Sequence, residues 1–239
     1  KTQSWGMTAL IVGARKEAGG GVREGWSVFR GTQNLVGLFS FEDNTTPKPE
    51  EILDKRGIFD DYNGKCNYQI TTGVVGNFDT EGWGVIKYTN LTSTGEPGQD
   101  VLWVDTDFPL FRLGDVYLMY AEAVARGGEG GDINTAVGYV NELRDRAYGE
   151  TPHNKIDAAW LTANNYQNIL DERGRELYWE GVRRIDLIRF GKYTSSSYTW
   201  PAKGGVITGV GVNERYNIFP IPISDISVNG SLEQNEGYK

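Results

Sequence analysis

The rhythm of hydrophobic and polar positions along this 239-residue chain changes near residue 110. Before it, apolar residues come in short runs broken by Gly, Asn and Thr. After it they return every three or four positions. Leu113, Val116, Tyr117, Tyr120, Ala121 and Val124 share one face at that spacing, which predicts a helix from Leu110 to Arg126. Gly127-Gly128-Glu129-Gly130-Gly131 ends it, and Asp132 is placed to N-cap a second helix from Ile133 to Tyr148. A third helical stretch runs from Ile169 to Lys192, with Ile169, Leu170, Leu177, Val182, Ile185 and Ile188 at helical intervals. Gly181 marks a break within it, since Gly inside a helix costs about 1 kcal/mol relative to Ala. The apolar positions alternate with Glu172, Arg173, Arg175, Glu176, Glu180, Arg183, Arg184, Asp186 and Arg189, many of opposite sign three or four apart. Charge this dense among bulky residues predicts an internal buttress whose Arg and Glu pair across the joints between elements. Its expected members are Glu172, Arg173, Glu176, Glu180, Arg183, Asp186 and Arg189, with Arg173 or Arg183 either paired to Glu176, Glu180 or Asp186 or hydrogen-bonded to backbone carbonyls of neighbouring segments.

The remaining segments read less regularly. Thr32 to Phe41 predicts a short helix with Leu35, Val36, Leu38 and Phe39 inward. Tyr68 to Val75 and Val85 to Tyr88 predict short strands or a hairpin. Thr151 to Thr162 reads as a linker with one helical turn, and Tyr193 to Gly211 as a Ser/Gly-rich connection. From Phe219 onward, Pro220 and Pro222 on alternate positions predict an extended tail without helix or strand, anchored by Ile221, Ile223 and Ile226. Leu113-Gly114-x-x-Tyr117, with Ala136 and Val140, echoes one tetratricopeptide repeat, a helical pair that needs neighbours to bury its apolar face. The predicted fold class is mainly α: a tetratricopeptide-like helical hairpin and buttress helices, with irregular loops and a few short strands. Residues 1–109 form the irregular, aromatic-rich part and 110–239 the helical part of one continuous domain.

Composition narrows the chemistry. With 24 basic and 32 acidic residues the net charge is −8, which argues against nucleic acid or an anionic lipid surface as partner. No run approaches the roughly 20 apolar residues of a membrane span, and no signal peptide begins at Lys1. A single cysteine, Cys66, excludes an intrachain disulfide and a cysteine-rich metal site. The single histidine, His153, sits in a polar linker. The triple Gly at 19–21 lacks the remainder of a phosphate loop. Asp60, Asp61 and Asn63-Gly64 lack the spacing of a calcium-binding EF-hand and read as an Asx-rich turn. Glu176 and Glu180 resemble a carboxylate pair, but residues four apart on one helix face cannot flank a sugar as a glycosidase requires. Arg173, Arg183 and Arg184 are expected to neutralise them. No catalytic residue, metal or cofactor is expected.

Recognition is the better-supported alternative. Sugars offer C–H faces to aromatic rings and hydroxyls to amides and carboxylates, and loop-borne aromatics are functional more often than those on helix faces. The chain has seven Trp and thirteen Tyr. Candidate ligand contacts are Trp5, Trp83, Phe78, Asp79, Tyr88, Asn90 and Trp200, whereas Trp26, Trp103 and Trp179 are read as core.

Three ordered blocks then give the chain a family likeness. The first is Val116-Tyr117-Leu118-Met119-Tyr120-Ala121-Glu122-Ala123, followed by Ala136, Asn141 and Leu143-Arg144-Asp145-Arg146-Ala147. The second is Glu172-Arg173, Glu176-Leu177, Trp179-Glu180-Gly181, Arg183 and Asp186-Leu187-Ile188-Arg189. The third is Phe219-Pro220-Ile221-Pro222, Ile226, Asn229, Leu232, Gln234-Asn235 and Gly237-Tyr238. Together they resemble the SusD-like (RagB/SusD) family, with a weaker match at Gly25-Trp26 and Asp54-x-Arg56. The resemblance implies a lipoprotein on the extracellular face of an outer membrane, capturing glycan or, in some members, peptide. It implies a TonB-dependent, SusC-like transporter as partner, which such proteins cover as a lid; a structural lid without its own ligand is the remaining alternative. Family members are about twice this length, so an N-terminal half, including the lipid-bearing Cys, is expected to be missing, along with further helical repeats. The matched blocks are scaffold motifs and carry over no ligand contact.

Overall fold

The computed structural model describes residues 54–56, 59–60, 84–85, 92, 94–99, 109–149, 155–196, 198 and 210–239. Within them lie a two-stranded antiparallel sheet, β1 (Phe59–Asp60) with β2 (Gly84–Val85), and five α-helices. The helices are α1 (Leu113–Ala125), α2 (Ile133–Tyr148), α3 (Ala158–Leu177), α4 (Arg183–Arg189) and α5 (Ile223–Val228), with a 3-10 turn at Glu214–Asn217. The mainly α class is as the sequence predicts.

α1 and α2 form the expected hairpin. Asp132 caps α2 by accepting from the Thr135 amide at 2.6 Å and from its hydroxyl at 2.8 Å. Gly127 and Gly130, both at positive φ, carry the turn between the helices. Leu118 and Ala121 of α1 meet Ala136, Val140 and Leu143 of α2, and α3 closes this core with Leu161 and Ile169. Tyr117 stacks on Tyr139 with centroids 4.3 Å apart, while Tyr120 meets the same ring edge-on. Asn141 grips the linker before α3 from both sides, donating to the Ile156 carbonyl and accepting from its amide.

α3 is interrupted at Ala163–Tyr166, where Asn164, Asn165 and Tyr166 take left-handed backbone angles. Asn tolerates that region better than most residues. Asn168 spans the interruption by donating to the Trp160 carbonyl. The second break falls where Gly181 predicts it, between α3 and α4, with Gly181 at φ 78° and Trp179 at φ 64°. Among the described residues no helix is long and apolar enough to cross a membrane.

Three expectations need correction. Leu113 and Val116 do not face the core; they are exposed, as are Leu110, Phe111 and Met119. α1 is apolar around most of its circumference, so periodicity alone could not select a face, and the ion pairs of Asp115 and Glu122 select it instead. Ile185 is likewise exposed, because Asp186 points inward to two arginines and carries Leu187 into the core with it.

The tail is the third correction. Pro222 stands at the N-cap of the short helix α5, where its fixed φ and missing N–H do no harm, so helix does follow the prolines. Of the predicted anchors, Ile223 is exposed and Ile221 and Ile226 are partly covered. Polar side chains tie the tail instead. Gln234 accepts from the Ile221 amide and donates to its carbonyl, both at 2.8 Å, and Asn235 donates to the Phe219 carbonyl. Arg184 fastens the tail to the helices, donating to the Tyr216 carbonyl and lying 4.2 Å from the Phe219 ring centroid.

Candidate functional site

The family-like stretch builds two linked charge clusters between the helices. The larger surrounds three carboxylates near the end of α3. Glu172, fully buried, accepts from Arg56 at 2.8 Å, Arg144 at 2.9 Å and Arg175 at 2.7 Å. One helical turn later, Glu176 takes both ends of its carboxylate to Arg146, and also receives Arg112 and Arg56. Glu180 holds Arg112 in a two-pronged pair, Nε at 2.6 Å and Nη2 at 2.8 Å. Such fork-to-fork geometry is the strong form of the Arg–carboxylate interaction. Arg112 immediately precedes α1, Arg144 and Arg146 lie on α2, and Arg56 comes from the irregular part. The cluster therefore ties three other parts of the chain to one helix end.

The second cluster is a ring of alternating charge that leaves α1 and returns to it. Asp115 binds Arg173, Arg173 binds Asp186, Asp186 binds Arg189, and Arg189 binds Glu122. Asp115 and Glu122 lie two turns apart on α1, so the ring clamps α1 against α3 and α4. Arg126 also reaches Glu122, while its guanidinium lies between the Tyr166 and Phe190 rings at 4.5 and 4.6 Å.

Burial alone would raise the Glu172 carboxyl, but the charges of Arg175, Arg56 and Arg144 outweigh it and hold the group far below its ordinary range. Burial opposes Glu176 in the same way, and hydrogen bonds from Arg146 and Arg112 bring it down to about 2. Acids held so firmly ionised make poor proton donors near neutrality. Among the described residues no group of His, Cys, Asp or Glu is placed to hold a metal ion.

The seven network residues read from sequence meet different fates. Glu172, Arg173, Glu176, Glu180, Asp186 and Arg189 are all in the clusters. Arg183 donates to the Leu170 carbonyl instead of a carboxylate. Glu176 and Glu180 do not share a helix face, because α3 ends at Leu177 and Glu180 belongs to the following turn. Nor do Arg173, Arg183 or Arg184 neutralise them; Arg112, Arg146 and Arg56 do. These distant cations were not assigned from sequence. Their signal was present in Arg144-x-Arg146 and Asp54-x-Arg56, which accompany the family-like blocks. Trp5, Phe78, Asp79, Trp83, Tyr88, Asn90 and Trp200 lie outside the described residues.

Gly114 shows how tightly the larger cluster is set. A Cβ there would lie 2.7 Å from Arg112 Nη1 and 2.8 Å from Glu176 Oε1. Gly114→Ala would gain up to about 1 kcal/mol of helix propensity. The two side chains it would push are fixed by several bonds, so overpacking wins and a net loss of roughly 1–2 kcal/mol is expected. A urea midpoint equal to or above that of the unaltered chain would show that the cluster can shift freely.

A buried lattice of arginines and carboxylates at the joints of a helical hairpin defines a scaffold. Comparison identifies its kind: a profile of the SusD family matches residues 59–238, and the chain belongs to that family. The chain is 41% identical over 186 residues to the starch-binding protein SusD of Bacteroides thetaiotaomicron, covering 78% of this chain and 31% of that protein. A SusD-like protein of Formosa agariphila is 31% identical over 135 residues, covering 54% of this chain and 24% of that one. The chain thus spans about a third or less of these relatives' length. A solved SusD superfamily structure from Bacteroides fragilis aligns over 86% of this chain and 40% of its own, with TM-score 0.48 at 23% identity. One from Parabacteroides distasonis aligns over 94% and 49%, with TM-score 0.45 at 21% identity.

Proposed function

We propose that this chain is part of a cell-surface glycan-binding protein that captures oligosaccharide and passes it to a TonB-dependent, SusC-like transporter of an outer membrane. In this reading the protein is lipid-anchored on the extracellular face, and further helical repeats of the same protein cover the exposed apolar strip of α1. The observation that carries the proposal is the 41% identity to a starch-binding protein over 186 residues. The neutralised state of Glu172, Glu176 and Glu180 supports binding over hydrolysis, since hydrolysis of a glycoside needs one carboxyl free to give a proton. The ligand contacts proposed are Trp5, Trp83, Phe78, Asp79, Tyr88, Asn90 and Trp200.

Calorimetric titration of the chain with maltoheptaose, beside a reducing-sugar assay, tests this reading. Saturable binding without release of reducing ends is expected. Trp5→Ala or Trp83→Ala should weaken it about tenfold or more, the effect of removing a buried aromatic anchor. Release of reducing ends would make the protein a hydrolase. Binding of peptides in place of glycans would turn the reading to the peptide-binding alternative, and no binding of either would leave a structural lid.

A further inference from the structure

We propose that Asn229 is a site of spontaneous covalent modification, and that its conversion releases the clamp on the C-terminal tail. The step is attack of the Gly230 backbone nitrogen on Cγ, the carboxamide carbon of Asn229. The new C–N bond closes a succinimide ring, and the side-chain nitrogen leaves as ammonia, carrying the Gly230 amide proton. Water then opens the ring at either carbonyl, leaving aspartate or isoaspartate, and no oxidant or cofactor is consumed. Asparagine is among the thermolabile residues, and access to the next backbone nitrogen decides its fate. Every other Asn among the described residues precedes a residue whose side chain shields that nitrogen. Gly230 has no Cβ to shield it, and its amide makes no hydrogen bond among the described residues.

The surroundings let the ring close. Asn229, Gly230 and Ser231 are exposed, and α5, which ends at Val228, buries none of its residues. Asn229 stands at ψ 94°, held by two hydrogen bonds. Its Oδ1 accepts from the Ser231 amide at 3.1 Å, and its carbonyl accepts from the Leu232 amide at 3.0 Å. Turning the Gly230 nitrogen toward Cγ breaks both, and water replaces them because both lie at the surface. The product then acts on the tail. A carboxylate at position 229 sits at the C-terminal end of α5, where the helix dipole disfavours negative charge. Isoaspartate also lengthens the main chain between α5 and Gln234, whose side chain holds both the amide and the carbonyl of Ile221.

The test is incubation of the full chain in mildly alkaline buffer, followed by peptide mapping in the mass spectrometer and amide exchange at Ile221. Mapping separates Asn229 from Asn63-Gly64, the other Asn-Gly pair of the sequence, which lies outside the described residues. The Asn229 peptide should gain the mass of an amide-to-acid change, and exchange at Ile221 should quicken severalfold in the converted fraction. A Cβ on Gly230 would meet nothing within 4 Å and its φ is not left-handed, so Gly230→Ala should fold unchanged. That variant should slow conversion severalfold or more. If it does not fold, Asn229→Gln, whose longer side chain closes a ring far less readily, takes its place with the same expectation. An Asn229 peptide left unchanged over the time in which the urea-unfolded chain converts would overturn the site. Equal rates with and without the substitution would overturn it too. Conversion with Ile221 exchange unaltered would overturn the release of the tail.

Discussion

Replacing Glu172 by Ala is expected to destabilise the chain by about 3–5 kcal/mol, the cost of breaking a buried ion cluster from one side. Glu172 is fully buried and is the common acceptor of Arg56, Arg144 and Arg175. Its removal leaves guanidinium groups in the interior with fewer carboxylates than they need, on three separate parts of the chain. The loss should appear as a lower urea midpoint with little change in slope, since the surface exposed on unfolding is nearly the same. Asp115→Ala, at the more exposed end of the second cluster, should cost less. An unchanged midpoint for Glu172→Ala would mean that the arginines find water, and the buttress would lose its energetic content. A well-packed apolar replacement of the whole cluster at once is a different experiment, and it need not destabilise at all. What the cluster provides is the choice of one packing among several. α1 could present more than one apolar face, and the charges decide which face is buried.

Acid should undo the same cluster over a predictable range. The folded-state carboxyls of Glu172 and Glu176 both lie below the ordinary glutamate value of 4.5. Their contribution is therefore fully present above that value and is lost as the pH falls through it toward the folded-state values. For Glu176, held at about 2, the contribution lost across this range is about 3 kcal/mol. The urea midpoint should fall steeply between about pH 5 and pH 2. Arg146 is the most exposed of the arginines on Glu176, so Arg146→Gln is the gentlest way to move the curve. It should let the Glu176 carboxyl rise and shift the acid loss to higher pH. An acid limb identical to that of the unaltered chain would contradict the assignment of Arg146 as a principal cause of the depressed value.

The helical pair, the break at Gly181 and the cap at Asp132 were legible because each rests on local chemistry: spacing, a helix-breaking residue, a side chain that reaches its own backbone. The buttress was legible as a kind of structure but not as a wiring diagram. Opposite charges three or four apart within Ile169 to Lys192 invited pairing along the stretch, and Arg175 with Glu172 does pair that way. Most of the partners come from elsewhere, however: Arg112 lies 64 residues from Glu176, and Arg56 lies 116 from Glu172. Periodicity carries no information about contacts at such separations. The tail failed for a different reason. Proline forbids the interior of a helix and not its start, and Pro222 uses that exception. The ligand contacts rest on composition alone, since aromatics on loops announce a kind of surface without saying which of them share it.

The central claim is that the family signature in this chain is a scaffold and touches no ligand. Glu180→Gln tests it most directly, because Glu180 stands in the Trp-Glu-Gly triplet of that signature and binds Arg112 through two nitrogens. Melting temperature and maltoheptaose affinity are measured on the same full-length variant. The account predicts a lower melting temperature with affinity unchanged at a temperature where the variant is folded. Unchanged melting with lost affinity, or with lost turnover, would place Glu180 in a working site and contradict it.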